Sequence, residues 1–264
     1  MHPPILSAIF IYPVKSLTGV SMEKSELTKE GLLHDRRWML VDETGKFLSQ
    51  RTLPRMAKIG TRIDEKELYL FERDNPGNEI SVSLNGAENK IQVRIWENDV
   101  LAAEENSNSA KWLSDFLGMN CKLVKMAPFS SREVDPKYAP GHKTGFADGY
   151  PLLLMNESSL DFLNEKLDAP VRMNRFRPNL VVKGLNAFEE DEIAKFNLGP
   201  AELECVKPCG RCVLINVSPE NADTGLEPLK TLARFRSVNN KVNFGQNVIV
   251  NKPGILKTGM NFQF

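Results

Sequence analysis

Val206-Lys207-Pro208-Cys209-Gly210-Arg211-Cys212-Val213-Leu214-Ile215-Asn216-Val217 sets two thiols three residues apart around a glycine and an arginine, with an apolar run behind them. The Pro/Gly punctuation predicts a turn feeding a strand, with Cys212 at the strand's mouth. A lone CxxC is often incidental, or structural with both thiols buried. A thioredoxin-like dithiol needs a helix after the motif, and an apolar β-type run follows here instead. A zinc ribbon needs a second cysteine pair, which Cys121 and Cys205 do not supply. The chemical alternative is a soft thiolate aimed at a metal or carrying sulfur. Arg211, next to Cys212 in sequence, favours the thiolate form.

Cations recur at predicted strand ends: Lys15 after Pro13, Arg36 before Trp38, Arg51 after Gln50, and Arg175 and Arg177 around Phe176. Each alone is ordinarily a solvated or salt-bridged surface group. At the ends of barrel strands such residues converge on one rim, and guanidinium groups bind phosphate bidentately. With Asn179 and the Gly210 amide they form a plausible cradle for a phosphorylated cofactor whose reactive end meets Cys212.

The bulk sequence limits the alternatives. Its 264 residues are ample for a core, and the 34 basic and 34 acidic residues balance. That balance argues against a dedicated nucleic-acid binder but not against a local basic pocket. No apolar run approaches a membrane span, and Met1–Leu6 lacks a signal-peptide pattern. Four cysteines in this length make no disulfide scaffold, so reduced thiols in a cytoplasmic protein are expected.

The pattern is β-rich throughout. Strands are predicted at 5–12, 20–27, 37–42, 47–50, 59–63, 67–71, 80–84, 91–95, 122–126, 151–155, 180–182, 196–198, 201–206, 213–217, 244–250 and 257–264. Residues 43–46 would join two of these as a hairpin, and Asp74–Gly77 reads as a turn. Helical spacing appears at 107–117, capped by Ser107 or Asn108 and stopped by Gly118, and again after Asn156 and at 228–235. Residues 127–150 read as a long loop of the functional kind. The predicted organisation is a β-barrel-like domain at 1–122 and a mixed, β-rich domain with short helices at 123–264.

Motifs in order carry a family resemblance. Tyr12-Pro13-Val14-Lys15-Ser16, Asp35-Arg36-Arg37-Trp38 and Gln50-Arg51 resemble the N-terminal β-barrel domain that precedes MOSC domains. Asp148-Gly149-Tyr150-Pro151, Arg175-Phe176-Arg177-Pro178-Asn179, Cys209-Gly210-Arg211-Cys212 and Phe244-Gly245-Gln246-Asn247 resemble the MOSC domain itself, also a β-barrel. This pair of domains resembles the mitochondrial amidoxime-reducing components and their bacterial relatives.

The resemblance implies a molybdenum cofactor (molybdopterin), with Cys212 as the metal ligand. By position, Lys15, Arg36 and Arg177 match cofactor-contacting cations, and Asn179, Gly210 and Arg211 match neighbours of the pterin and metal. Asp148, Gly149 and Tyr150 match the loop entering the site, with Asp148 assigned to proton handling. Gly149-Tyr150 departs from the hydroxyl residues of vertebrate members, leaving a backbone contact there. The implied activity is reduction of N-hydroxylated compounds, with a cofactor-binding or persulfide-carrying protein as the alternative. The plant-type cysteines of a fused ferredoxin domain are absent, so electrons are expected from a separate ferredoxin- or flavodoxin-type reductase partner.

Overall fold

The structure is a computed structural model that describes residues 3–87, 89–128 and 130–264. Its centre is the strand Leu152–Asn156, every residue of which is buried. Successive strand side chains point to opposite faces. Leu152 and Leu154 enter one hydrophobic cluster, with Leu6, Ile9, Leu180 and Val250. Leu153 and Met155 enter another, with Phe176, Ile215, Leu232 and Phe244. A strand covered on both faces needs an unbroken apolar run, which Leu-Leu-Leu-Met provides. Truncating Leu154 to Ala would destabilise the fold by about 2–5 kcal/mol.

This strand lies inside a nine-stranded sheet. It runs parallel to Leu180–Lys183 and antiparallel to Lys241–Lys252. Beyond Leu180–Lys183 come Ile5–Ile11 and Val20–Met22, so the start of the chain completes a sheet made mostly from its second half. Lys24–Thr28 likewise pairs with Gly254–Lys257. On the other side, Lys241–Lys252 pairs with Ala201–Arg211, the strand that carries the cysteine motif.

The intervening residues form a four-stranded sheet, Trp38–Val41, Lys122–Met126, Asn98–Glu104 and Asn89–Ile95, and a three-stranded sheet, Ile59–Ile63, Glu67–Glu72 and Asn75–Ser83. Trp38 and Leu40 face a core shared with Met56, Leu68 and Leu113, while Met39 and Val41 face another with Val93 and Val124. The β-rich class is therefore as expected. The strand orders are open paths, and none closes into a barrel among the described residues.

The helix Ser107–Leu117 has the predicted span, but its cap is Asn106, whose side chain accepts from the Ser109 amide at 2.9 Å. Gly118 ends it at φ 72°, a conformation glycine adopts without strain. Phe47–Gln50 is not a strand, because only Phe47 bridges to Val41. The turn expected at Asp74–Gly77 falls instead at Arg73-Asp74, because Asn75 already pairs with Glu72 as the first residue of the strand Asn75–Ser83. Pro76 is tolerated because that strand pairs on one side only. The predicted strand 257–264 splits around Gly259, at φ 87°.

The main correction concerns the opening motif. The strand Ala201–Arg211 runs into the motif, not out of it, and Val213–Asn216 is a 3-10 helix. Arg211 pairs with Val242 near the very start of Lys241–Lys252, so no partner strand remains beyond it. The chain folds over and buries Ile215 instead. No helix among the described residues is long and apolar enough to cross a membrane.

Candidate cofactor site

Lys15, Ser16, Arg36, Arg51, Asp148, Gly149, Tyr150, Arg177, Asn179 and Cys209 to Cys212 all line one cleft. Sequence positions up to about two hundred residues apart thus meet, at the ends of strands from both halves of the chain.

Lys15 follows Ile5–Ile11 and is only 4% exposed. Its Nζ donates to the Phe146 carbonyl at 2.9 Å and to Asp148 Oδ1 at 2.5 Å. Burial pulls its ammonium down to about 8, against the opposing pull of Asp148. Arg36 has φ 47°, and this left-handed residue is held by its amide donating to the Tyr12 carbonyl at 2.8 Å. Its guanidinium donates to Asp35, to Asn179 Oδ1 at 2.8 Å and to the Arg177 carbonyl at 3.2 Å. A Cβ on Gly145 would sit 2.9 Å from the Arg36 carbonyl, so only glycine allows this close approach.

Asn179 is 1% exposed and uses its whole amide. Its oxygen accepts from Arg36 and from the Leu153 amide, and its nitrogen donates to the Phe10 carbonyl at 3.1 Å. It therefore ties the cation rim to two sheet strands. Arg177, at φ 58° after the 3-10 turn Met173–Phe176, donates to the Leu17 carbonyl at 2.6 Å. Arg36 and Arg177 stack against the Tyr12 ring at 4.5 and 4.2 Å. Burial brings the Arg177 guanidinium down to about 10 and pushes the Tyr12 phenol up to about 12.

The thiols have different partners from those expected. Arg211 ends the strand two residues after Cys209, and strand residues two apart share a face, so its guanidinium turns to Cys209. Arg211 Nη1 reaches Cys209 Sγ at 3.2 Å, and its Nη2 donates to the Phe176 carbonyl at 2.5 Å. Cys212 is exposed, just past the strand, and its sulfur accepts from Arg51 Nε at 3.3 Å. Arg51 also reaches Asp148 Oδ2 at 2.6 Å. Asp148 thus lies between two cations. Desolvation opposes its ionisation only in part, since the side chain is 51% exposed, and Lys15 and Arg51 hold its carboxyl below the ordinary range. Asp148 is thus the counter-ion of both cations.

Arg51 belongs to the expected cation cradle but not to the residues matched to the cofactor by resemblance; its sequence signals are its place in the cation series and the Gln50-Arg51 motif. Arg132 went unnoticed: 7% exposed, it donates to the Ala147 carbonyl at 2.6 Å and fixes the loop before Asp148. Arg175 lines a neighbouring cavity that shares Arg177 and Leu214 with the cleft, but not the cleft itself.

Charge is the cleft's dominant property. Lys15, Arg36, Arg51, Arg177 and Arg211 line it against the single carboxylate of Asp148. Arg177 and Arg211 make no ion pair among the described residues, and Arg211 Nε is buried without a hydrogen-bond partner. Buried cations in such excess call for an anionic ligand. The exposed thiol beside them suits a soft metal. Together these fit a group that carries both a phosphate and a thiolate-binding metal.

The strand-end cleft with one exposed cysteine defines a MOSC-type protein. Residues 4–120 match the MOSC N-terminal beta barrel domain and residues 141–263 the MOSC domain, and the chain belongs to this two-domain family. The chain is 30% identical to the mouse mitochondrial amidoxime-reducing component 1, covering 96% of this chain and 80% of that protein. It is 33% identical to the human mitochondrial amidoxime reducing component 2, over 88% and 72%. An Arabidopsis thaliana molybdenum cofactor sulfurase is 32% identical over 91% of this chain but only 32% of its own length.

Proposed function

We propose that this protein holds a molybdenum cofactor in the cleft and reduces N-hydroxylated compounds such as amidoximes, hydroxylamines and N-hydroxylated bases. Family membership and the relatives' names support the cofactor. The observation that carries the reading is the exposed Cys212 thiol, gripped by Arg51 inside a cleft of five cations and one carboxylate. The overall reaction takes R–NHOH, two electrons and two protons to R–NH2 and water. The electrons come from a separate electron-transfer protein of the ferredoxin- or flavodoxin-reductase kind.

In this reading Cys212 ligates the metal, and Lys15, Arg36 and Arg177 hold the phosphate and pterin end. Asn179 orients Arg36, and Gly149, Tyr150 and Gly210 offer backbone contacts. Arg211 keeps Cys209 beside the site without making it a ligand. When bound, the cofactor supplies a two-electron couple at its metal. Arg51 steadies the sulfur that tunes it, and Asp148 balances Lys15 and Arg51.

A second reading has one specific observation in its favour. Cys209, with its own guanidinium donor, lines the same cleft as Cys212, which suits a cofactor-binding or persulfide-carrying protein without reductase activity. Protein from a cofactor-competent host is assayed for molybdenum, pterin and cyanide-releasable sulfur, then for benzamidoxime turnover with reduced methyl viologen. Molybdenum with turnover supports the reductase. Molybdenum without turnover, or labile sulfur without molybdenum, supports the second reading. Neither metal nor sulfur overturns both.

A further inference from the structure

Trp96 occupies a position that local chemistry reserves for other residues. Asn89–Ile95 and Asn98–Glu104 form a hairpin in which Ile95 pairs with Asn98, leaving Trp96-Glu97 as a two-residue turn. Trp96 has φ 53°, the left-handed conformation that glycine or asparagine normally supplies there. Strained residues of this kind persist where the surroundings or a function hold them. Core packing does not account for it, because the indole is 42% exposed.

The ring lies instead beside the cleft. The Arg51 guanidinium stacks on it at 4.9 Å, and that same guanidinium holds Cys212 Sγ and Asp148. Phe47 packs against the Trp96 ring itself, centroid to centroid 4.9 Å and 56° off parallel, and Lys15 Nζ lies 5.4 Å from the Phe47 ring. The segment that carries Phe47 is itself tied to this hairpin, because the Phe47 amide donates to the Arg94 carbonyl at 3.0 Å. An aromatic pair therefore borders the two cations nearest Asp148, one guanidinium away from Cys212.

We propose that Trp96 is a substrate-positioning residue, whose exposed indole surface receives the planar, conjugated portion of a substrate while the N–O group enters the cleft. Among the N-hydroxylated substrates of the proposed reaction, those whose N–O group is attached to a flat conjugated ring are accordingly favoured over small non-planar ones. Stacking on a fixed indole is tolerant of ring identity, since every such ring has a π face. The inference rests on the reductase reading for its reaction but not for its binding step.

The experiment uses the protein from a cofactor-competent host, with Trp96→Ala and Trp96→Phe. Benzamidoxime binding is measured by calorimetry without reductant, and steady-state turnover with benzamidoxime and with hydroxylamine. Trp96→Ala is expected to weaken benzamidoxime binding and raise its KM about tenfold, the scale of one lost stacking contact. Hydroxylamine kinetics and molybdenum content stay unchanged, and Trp96→Phe recovers most of the loss. Unchanged benzamidoxime binding in Trp96→Ala overturns the proposal. So does an equal fall in kcat for both substrates, which would mean that the ring acts only through Arg51. If wild type binds benzamidoxime, Trp96→Ala does not, and nothing turns over, the platform stands and the reductase reading falls.

Discussion

Arg51 Nε lies 3.3 Å from Cys212 Sγ although 161 residues separate them, and the same side chain holds Asp148. The thiol's electrostatic partner thus comes from the first half of the chain, on the far side of the cleft from the strand that delivers the thiol.

Removing this partner tests its role. Arg51→Ala is expected to lower molybdenum retention or turnover about 10–100-fold, the usual effect of losing a group that orients a metal ligand. Arg51→Lys keeps charge but not the paired contacts to sulfur and carboxylate, so it should recover only part. Metal analysis after gel filtration, alongside circular dichroism, is the measurement. A variant with full molybdenum and full rate would mean that the contact is incidental.

The two cysteines should behave differently. Cys212→Ala is expected to abolish molybdenum binding, and Cys209→Ala to retain at least half of it. The reverse pattern in metal content would reassign the ligand.

Lys15 gives a pH signature. Its folded value is about 8 against an ordinary 10.5, so between these values the unfolded chain holds a proton that the folded chain has released. The burial penalty is greatest below pH 8, and this residue's contribution to stability improves as pH rises towards 10.5. Anion binding runs the opposite way, because a phosphate needs the ammonium. Affinity should be full below pH 8 and fall above it by at most about tenfold per unit. Retention of the phosphorylated pterin at pH 7, 8.5 and 9.5 reads this. In Lys15→Gln the slope should vanish; an unchanged slope would assign it to another group.

Asn179→Ala should damage fold and site together. It strands the Leu153 amide and the Phe10 carbonyl and frees Arg36 on one side. Each orphaned buried group costs about 1–3 kcal/mol. Urea denaturation should show a loss in that range or above, with reduced pterin content even where the variant remains folded. A loss below 0.5 kcal/mol on the ~1–3 kcal/mol scale would contradict the bridging role.

Much of this site was legible because its residues cluster in short motifs. Tyr12–Ser16, Asp35–Trp38, Arg175–Asn179 and Cys209–Cys212 each place a cation, amide or thiol where a strand starts or stops. The helix Ser107–Leu117 was legible from its apolar spacing and its glycine stop. What failed depended on distant partners. Val213–Val217 has strand-like composition, but no strand is left to pair with it. Asn98–Glu104 is a strand that its alanines and acidic ends concealed, since its pairing with Asn89–Ile95 and Lys122–Met126 decides it. Arg211 looked like the neighbour of Cys212 because sequence adjacency says nothing about which way a side chain points.

The pairing of Ile5–Ile11 with Leu180–Lys183 has a consequence on the ribosome. Ser7 and Val181, joined across that pair, are 174 residues apart. At about 5–20 residues per second, the first strand waits roughly 10–35 s before its neighbour exists. During that interval a seven-residue apolar segment has an unfilled edge and exposed Ile and Phe side chains. Assembly of the cleft therefore comes late in synthesis, because Lys15 and Arg36 are made early but have no Asn179 to lock against. The cleft is complete, and able to hold the cofactor, only after residues through Asn247 have emerged.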